Sequence, residues 1–538
     1  MSAQMPTPIR LAAEGFVLAT TLFTWQGLVL RGLALILLAL LGGCAGLPAL
    51  EVRMDSRAVT DVAGTTLART AQATLAGDTA SALRLLPAGD QALDARLALI
   101  ERAERSLDLQ YYQIADDQAG SMLVRALRDA ARRGVSVRLL VDDLYATGQD
   151  ERLAALAAER GIEVRLFNPL PARQGGLAAR VLLSLHEFGR INRRMHNKLF
   201  IADGSLAISG GRNIADEYFD HNEPAGFIDM DILSAGAAVA ELRDVFDRYW
   251  NSRHAYRIEQ FAQATATSRQ ALDQRLDALP PRSTPAERDA LGQTSVSAQL
   301  DHGSLELHAG AVQVLADDPD KAALVDVPAT ESTVATAYMT LLDEAQSEVL
   351  LSSPYLVPSP RQLATIHQAA QRKVQVSVIT NSLSTTDEPL VHSGYSRFRT
   401  TMLRMGIELY ELMPLARRAQ TSSHGSASLG RLHAKLAVVD GQRLFIGSMN
   451  VDRRSARVNT EMALVVASPV LAEQAARLLR RDRLPESYKL RLAADGERIE
   501  WVVGAGAAAV TLSSEPDVSV TQSLQQWLGE LFVSEDLL

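Results

Sequence analysis

His196-Asn197-Lys198-Leu199-Phe200-Ile201-Ala202-Asp203-Gly204, followed by Gly210-Gly211-Arg212-Asn213, is the stretch from which the rest of the chain can be read. The pattern returns as His433-Ala434-Lys435-Leu436-Ala437-Val438-Val439-Asp440-Gly441, followed by Gly447-Ser448-Met449-Asn450. Each copy is HxKxxxxDG, then a small pair, one further residue and an Asn. A whole constellation repeated at such a separation points to two similar lobes meeting across one site.

Residues 199–202 and 436–439 are apolar and partly β-branched, so both read as buried strands. Side chains two apart on a strand share a face, which groups His196 with Lys198 and His433 with Lys435. Asp-Gly is a hairpin signal, because both turn positions tolerate positive φ. A two-residue turn at Asp203-Gly204 places Gly211 beside His196, and the same turn at Asp440-Gly441 places Ser448 opposite His433. Small residues there let Asn213 or Asn450 approach whatever the His-Lys pair holds.

A lysine ammonium suits phosphate oxygens, and an imidazole can be nucleophile, base or acid near neutral pH. Two histidines divide phosphodiester exchange between them. One attacks phosphorus; the other protonates the leaving alcohol and then deprotonates the acceptor. Lys198, Lys435, Asn213 and Asn450 stabilise charge on the non-bridging oxygens, so the chemistry requires neither metal nor cofactor. Each histidine needs an orienting partner for its other ring nitrogen. Asp229-Met230 and Glu461-Met462 align at the heads of two apolar strands, making Asp229 and Glu461 the expected carboxylates, with Asp231 a rival on the face of Asp229. Asp203 and Asp440 complete each motif as candidate catalytic groups, although Asp is common at turns and a structural role is equally open.

These paired HxKxxxxD motifs resemble the phospholipase D superfamily and, within it, the bacterial cardiolipin synthases of the C type. Asn192-Arg193-Arg194-Met195, the run from Gly210 to Phe219, Thr380-Asn381-Ser382-Leu383, Val391-His392-Ser393-Gly394-Tyr395 and Glu515-Pro516 carry the same likeness. The resemblance implies an α/β fold of two phospholipase D-like lobes with pseudo-twofold symmetry, each a β-sheet flanked by helices, with the active site at their interface. It implies a phosphatidyltransferase that makes cardiolipin from phosphatidylglycerol and a second phospholipid. His196 is then the nucleophile and His433 the acid/base, through a phosphatidyl-histidine intermediate. Many members carry Ser where Gly211 stands, so a hydroxyl present at Ser448 is missing from the first copy. The alternatives are a hydrolase of the same superfamily, lipase or nuclease, and a non-enzymatic peripheral lipoprotein, which the two intact motif sets disfavour.

At 47% hydrophobic and 22% charged, 538 residues can bury two sizeable cores. The net charge of −9 disfavours binding nucleic acid through bulk charge, so no nucleic-acid partner is expected. Basic clusters do flank the motifs: Arg190, Arg193 and Arg194 before the first, Arg453, Arg454 and Arg457 after the second. Such clusters are commonly solvated faces, and beside a phosphate site a functional role is as open.

The lone cysteine, Cys44, follows an apolar run from Leu33 to Leu41 and ends Leu41-Gly42-Gly43-Cys44, which resembles the lipobox of bacterial lipoproteins. The run is short for a membrane span and suits a signal-peptide core. Phe16 to Leu30 is also mostly apolar, so an uncleaved anchor is the alternative. Either way a membrane location, with phospholipid substrates and a bacterial membrane as partners, is expected. The expected organisation is a signal peptide or anchor over 1–43, a linker with a short helix over 44–90, the first lobe over 91–255, a connector over 256–335, the second lobe over 336–485 and a C-terminal extension over 486–538. Each lobe opens strand, helix, strand: 106–114, 120–133 and 135–141, then 348–352, 361–371 and 374–379. Residues 525–532 read as an amphipathic helix that docks on a lobe or touches the bilayer.

Overall fold

The computed structural model describes residues 46–49, 55–75, 80–219, 226–323, 332–414, 417, 430–504, 506 and 509–532. Cys44 and the apolar runs before it lie outside these residues, as do His221 and His424. Among the described residues no helix is long and apolar enough to cross a membrane.

Two large mixed sheets dominate. The first runs, edge to edge, His308–Ala309, Ser81–Leu86, Asp231–Gly236, Leu206–Gly210, Leu199–Ala202, Ser106–Tyr111, Ser136–Asp142, Ile162–Phe167 and Ala255–Arg257. The second runs Ala311–Ala316, Met462–Ala467, Arg443–Gly447, Leu436–Val439, Glu348–Ser352, Gln375–Asn381, Glu408–Leu412, Ser487–Leu492, Ile499–Val503 and Val510–Leu512. Aligned on the motif hairpins, the orders match strand for strand from Ser81–Leu86 and Ala311–Ala316 to Ala255–Arg257 and Ser487–Leu492. The central strands Ser106–Tyr111, Ser136–Asp142 and Ile162–Phe167 are parallel, joined by crossover helices, and the motif hairpin adds to them antiparallel. Local chemistry starts those helices where it should. Asp117 caps Gln118–Arg132 by accepting from the Gly120 N–H, and Ser359 with Gln362 forms a capping box on Pro360–Gln371, whose proline sits in the first turn.

Both sheets reach beyond the expected lobes. Ser81–Leu86, inside the stretch expected as linker and short helix, is a fully buried strand paired along its length with Asp231–Gly236. Ala311–Ala316, expected in the connector, pairs with Met462–Ala467. Ser487–Leu492, expected in the C-terminal extension, pairs with Glu408–Leu412. Each is recruited into its sheet by a strand distant in sequence, so its own periodicity says little about its place.

The motif strands divide their side chains between two cores, as a period of two requires. Leu199, Ile201, Leu436 and Val438 share a cluster lying between the lobes, together with Val239, Leu242 and Phe246 of the helix Ala237–Trp250 and Leu471 and Ala475 of the helix Pro469–Leu478. Phe200 and Ala202 pack under the helices of lobe one, and Ala437 and Val439 under those of lobe two. Burying both faces explains why these strands are apolar throughout.

The Asp-Gly turns differ from expectation by one residue. Asp203 and Gly204 take φ of 46° and 52°, and Asp440 and Gly441 take 55° and 63°, as the dipeptide demands. The N–H of Ser205 closes the first turn on the Ala202 carbonyl, and the N–H of Gln442 closes the second on Val439. The ladder, however, resumes with Ala202 opposite Leu206 and Val439 opposite Arg443, so Ser205 and Gln442 are extra residues. They shift both registers, and Gly211 and Ser448 do not oppose the histidines.

Candidate active site

His196 and His433 stand just outside the ordered starts of their hairpins, where each segment leaves its own lobe to touch the other. Met195 bridges Thr460 in parallel, and the His196 N–H donates to the Thr460 carbonyl at 2.9 Å. By pseudo-symmetry Arg431–Leu432 pairs in parallel with Phe227–Ile228, and the His433 N–H donates to the Ile228 carbonyl at 2.8 Å. Two seams of backbone thus set each histidine beside the acid that follows in the other lobe.

The acids are exchanged between lobes. His196 Nδ1 lies 2.9 Å from Glu461 Oε2, and His433 Nδ1 lies 2.6 Å from Asp229 Oδ2. Asp231, the rival, is committed elsewhere: it pairs with Arg96 at 2.8 Å and Arg212 at 3.4 Å. Burial pushes the Asp229 carboxyl up, but His433, Lys435 and Arg212 overcome it and bring it down to about 2. Glu461 is likewise lowered, burial opposing and His196 and Lys198 prevailing. An ionised carboxylate needs a donor, so each Nδ1 carries its proton and each Nε2 keeps a lone pair. Lys435 Nζ also sits 3.1 Å from His433 Nδ1, but both are donors in this tautomer, and the shorter carboxylate contact decides it.

Ser448 and Gly211 serve these acids rather than the histidines. The Ser448 hydroxyl donates to Glu461 and accepts the Met462 N–H at 3.0 Å. At Gly211 a Cβ would lie 2.1 Å from Asp229 Oδ1, so the carboxylate occupies the space a side chain would need. The missing hydroxyl of the first copy is therefore the room that the shorter acid fills.

Lys198 and Lys435 are buried, with ammonium groups donating to the carbonyls of His196 and His433 at 2.6 and 2.5 Å. Burial lowers Lys435 to about 8 and Lys198 well below its ordinary value, each also depressed or supported by groups of both lobes. Burial first, and then the lysines, bring His196 down to about 4 and lower His433 as well. Both imidazoles are thus neutral at neutral pH.

The surroundings of the two Nε2 atoms differ. The Tyr218 hydroxyl lies 3.5 Å from His433 Nε2 and accepts from Asn213 Nδ2 at 2.9 Å. His196 instead meets the ring of Tyr112 edge-on, with centroids 5.1 Å apart. Tyr355 donates to Asp387 at 2.7 Å, and Asp387 acts electrostatically on both His433 and Lys435. Tyr218 and Asp387 are site residues that sequence reading missed; neither has a repeated counterpart to mark it. Asn450 is buried, and among the described residues its amide oxygen has no donor.

Asp203 and Asp440 do not belong with this group, which corrects their place in the expected catalytic set. At the far end of the hairpin, Asp203 accepts from the N–H groups of Glu104, Arg105 and Ser106 at 3.0, 2.7 and 3.0 Å. Asp440 does the same for Gln346, Ser347 and Glu348 at 3.0, 2.7 and 3.1 Å. Each caps the entry to its neighbouring central strand. The basic clusters are also largely structural. Arg194 is buried against Asp142 at 2.9 Å, Arg190 pairs with Glu187 at 2.5 Å, and Arg454 donates to Asn192 across the lobes at 2.8 Å.

His392 is bound into a different group from the histidine pair. It accepts from Arg399 at 3.0 Å, and Arg399 ion-pairs with Glu411 and Glu515, both at 2.7 Å. His392, Glu411 and Glu515 form the group of possible metal ligands among the described residues, but the Arg399 guanidinium stands among them and suits the carboxylates better than a second cation would.

Two lobes with exchanged His–carboxylate pairs and paired lysines define a phospholipase D-type phosphodiester-exchange enzyme. The chain belongs to that superfamily: the family described as "Cardiolipin synthase, PLD-like domain" matches residues 97–250 and 338–483. Cardiolipin synthase C of Escherichia coli K12 is 35% identical over 462 residues, covering 83% of this chain and 94% of its own. A Helicobacter pylori protein of undescribed function is 30% identical over 452 residues, covering 83% and 88%. Among solved structures, phosphatidylserine synthase of Haemophilus influenzae shares the fold with a TM-score of 0.54 at 12% identity, over 87% of this chain and 97% of that one.

Proposed function

We propose that the chain is a phosphatidyltransferase that makes cardiolipin from phosphatidylglycerol and a second phospholipid. The observation that carries the reading is the pair of exchanged contacts, His196 to Glu461 and His433 to Asp229, around one lysine-lined site. Nε2 of His196 attacks phosphorus of the donor lipid. The bond to the headgroup oxygen breaks, and the Nε2–H of a protonated His433 gives that oxygen a proton. His433 then takes the proton of the acceptor hydroxyl, whose oxygen attacks phosphorus and releases His196. The phosphate arriving beside Lys198 and Lys435 supplies the negative charge that lets a buried imidazole become cationic. Tyr218 at His433 Nε2 favours His433 as the proton carrier, and the Nε2 of His196, without a hydrogen-bond partner among the described residues, favours it as the nucleophile. Asn213 holds Tyr218, and Asn450 is assigned to the phosphoryl oxygens. No metal or cofactor enters these steps.

Two measurements test this. Expression in cells that lack cardiolipin should produce it; accumulation of phosphatidic acid alone would assign water as the acceptor and make the enzyme a hydrolase. In His433→Ala an activated phosphatidyl donor should leave a covalent adduct on His196 that His196→Ala lacks, and an adduct on His433 would reverse the roles. Lipidation at Cys44 is the proposed source of membrane attachment. Cys44→Ser should then remain an unprocessed precursor or leave the membrane, and unchanged size and attachment would favour the uncleaved apolar anchor.

A further inference from the structure

Between the strand Ile162–Phe167 and the first motif the chain makes an excursion whose outer surface is apolar. The helix Leu177–Leu183, the turn Leu185–Glu187 and the short helix Phe188–Ile191 follow one another. Leu182, Leu185 and Phe188 are spaced three apart, and with Leu177 they are 38–59% exposed. This face is also nearly devoid of free charge. From Gln174 to Gly189 the ionisable side chains are Arg180, buried and paired with Asp150 at 2.7 Å, Glu187, paired with Arg190 at 2.5 Å, and His186, 3.7 Å from Glu187. A chain that is 22% charged has left one contiguous surface uncharged.

The excursion is fixed to the chain segment that follows the strand Ser136–Asp142. Arg173 reaches Asp143 at 2.6 Å and also pairs with Asp150, and the Leu170 N–H donates to Asp143 at 2.8 Å. The loop that runs from Asp143 to the helix start at Asp150 also carries Tyr145, 42% exposed, whose ring is 4.9 Å from Tyr112, itself 5.1 Å from His196. On the opposite lobe Leu390, 45% exposed, follows Asp387 and Glu388, which act electrostatically on Tyr145. Exposed apolar groups therefore stand on the excursion, on the loop whose Tyr145 packs against the Tyr112 beside His196, and on the opposite lobe at Leu390.

We propose that the 174–189 excursion is a membrane-docking platform. Leu177, Leu182, Leu185 and Phe188 enter the boundary between headgroups and acyl chains of a phospholipid bilayer, with Tyr145 and Leu390 at its edge. Docking so turns the active site towards the headgroups, and a phosphodiester can enter without its acyl chains leaving the bilayer. The platform rests on the phosphatidyltransferase reading for its substrate, but its contact with lipid can be measured apart from catalysis.

Phe188→Trp in the full-length protein, mixed with phosphatidylglycerol/phosphatidylcholine vesicles whose phosphatidylcholine is brominated in the acyl chains, should show quenching of the emission that the new tryptophan adds. Unquenched emission overturns the proposal whatever the enzyme catalyses. The double variant Leu182→Glu, Phe188→Glu should lose roughly tenfold of its turnover on vesicle phosphatidylglycerol. Turnover of a short-chain phosphatidylglycerol dispersed as monomers should stay near wild type. Equal loss on both substrates, or loss on neither, overturns the platform. A wild-type dimer that Leu182→Glu dissociates would assign the face to a second copy of the chain and overturn it as well.

Discussion

With Lys198, which burial also lowers, Lys435 limits the pH range on its basic side. Burial lowers its ammonium to about 8, so the free enzyme loses this phosphate-binding charge as pH rises through that value. The expected kcat/KM profile falls on its basic side by about 8, and Lys435→Arg, which stays charged, removes the Lys435 contribution to that limb while lowering the maximum. On the acid side, burial first, and then Lys198, hold His196 near 4. Its imidazole stays neutral where an ordinary histidine is half protonated, so His196 adds no acid limb near 6.5. The folded state refuses a proton that the unfolded chain accepts at about 6.5, so stability drains away as pH falls from there towards 4. An acid limb at the ordinary imidazole value would contradict this account. Gly211 is the other decisive residue. Gly211→Ser should push the Asp229 carboxylate off His433 and cost about 100-fold in kcat. Because Ser448 and Glu461 coexist in lobe two, adding Asp229→Glu should recover part of the loss, which a double-mutant cycle would reveal as coupling.

At the scale of the element, the motif hairpin shows what a sequence can and cannot disclose. The apolar runs, the positive-φ Asp-Gly pairs and the grouping of His with Lys were legible, because each follows from neighbours within a few residues. The extra residues Ser205 and Gln442 were not, since nothing local distinguishes a two-residue turn from one followed by a bulge. Asp203 and Asp440 look catalytic because they recur; their targets, the N–H groups of Glu104 to Ser106 and Gln346 to Glu348, lie a hundred or so residues away in sequence. Asp229 and Glu461 were recognisable as paired acids at strand heads. Their exchange between lobes was hidden, because it depends on how the Met195–Thr460 and Leu432–Ile228 seams dock. Asp203→Ala should therefore behave as a stability variant. Leaving three N–H groups, that of Ser106 buried, without an acceptor should cost about 2 kcal/mol in denaturant unfolding, with kcat of the folded fraction retained. A large fall in kcat at unchanged stability would return Asp203 to the chemistry.

For the whole molecule, each half of the site is incomplete without the other lobe, so the fold must keep two sheets in register across a buried apolar core, and the proposed platform adds a meeting with a lipid surface. The charge of the chain bears on how that meeting occurs. At −9 the protein is repelled by a bilayer rich in phosphatidylglycerol, and Lys198 and Lys435, the lysines assigned to phosphate, are buried rather than displayed. Attraction must then come from apolar contact, which salt does not screen, while salt does screen the repulsion. Turnover on phosphatidylglycerol vesicles should therefore hold steady or rise between about 0.01 and 0.3 M salt, over which the Debye length shrinks from about 30 Å to below 8 Å. Turnover on monomeric short-chain lipid should change little, because the lysine–phosphate contacts form away from bulk ions. A steep fall with salt on vesicles alone would show that basic side chains, and not the apolar platform, bring the enzyme to its substrate.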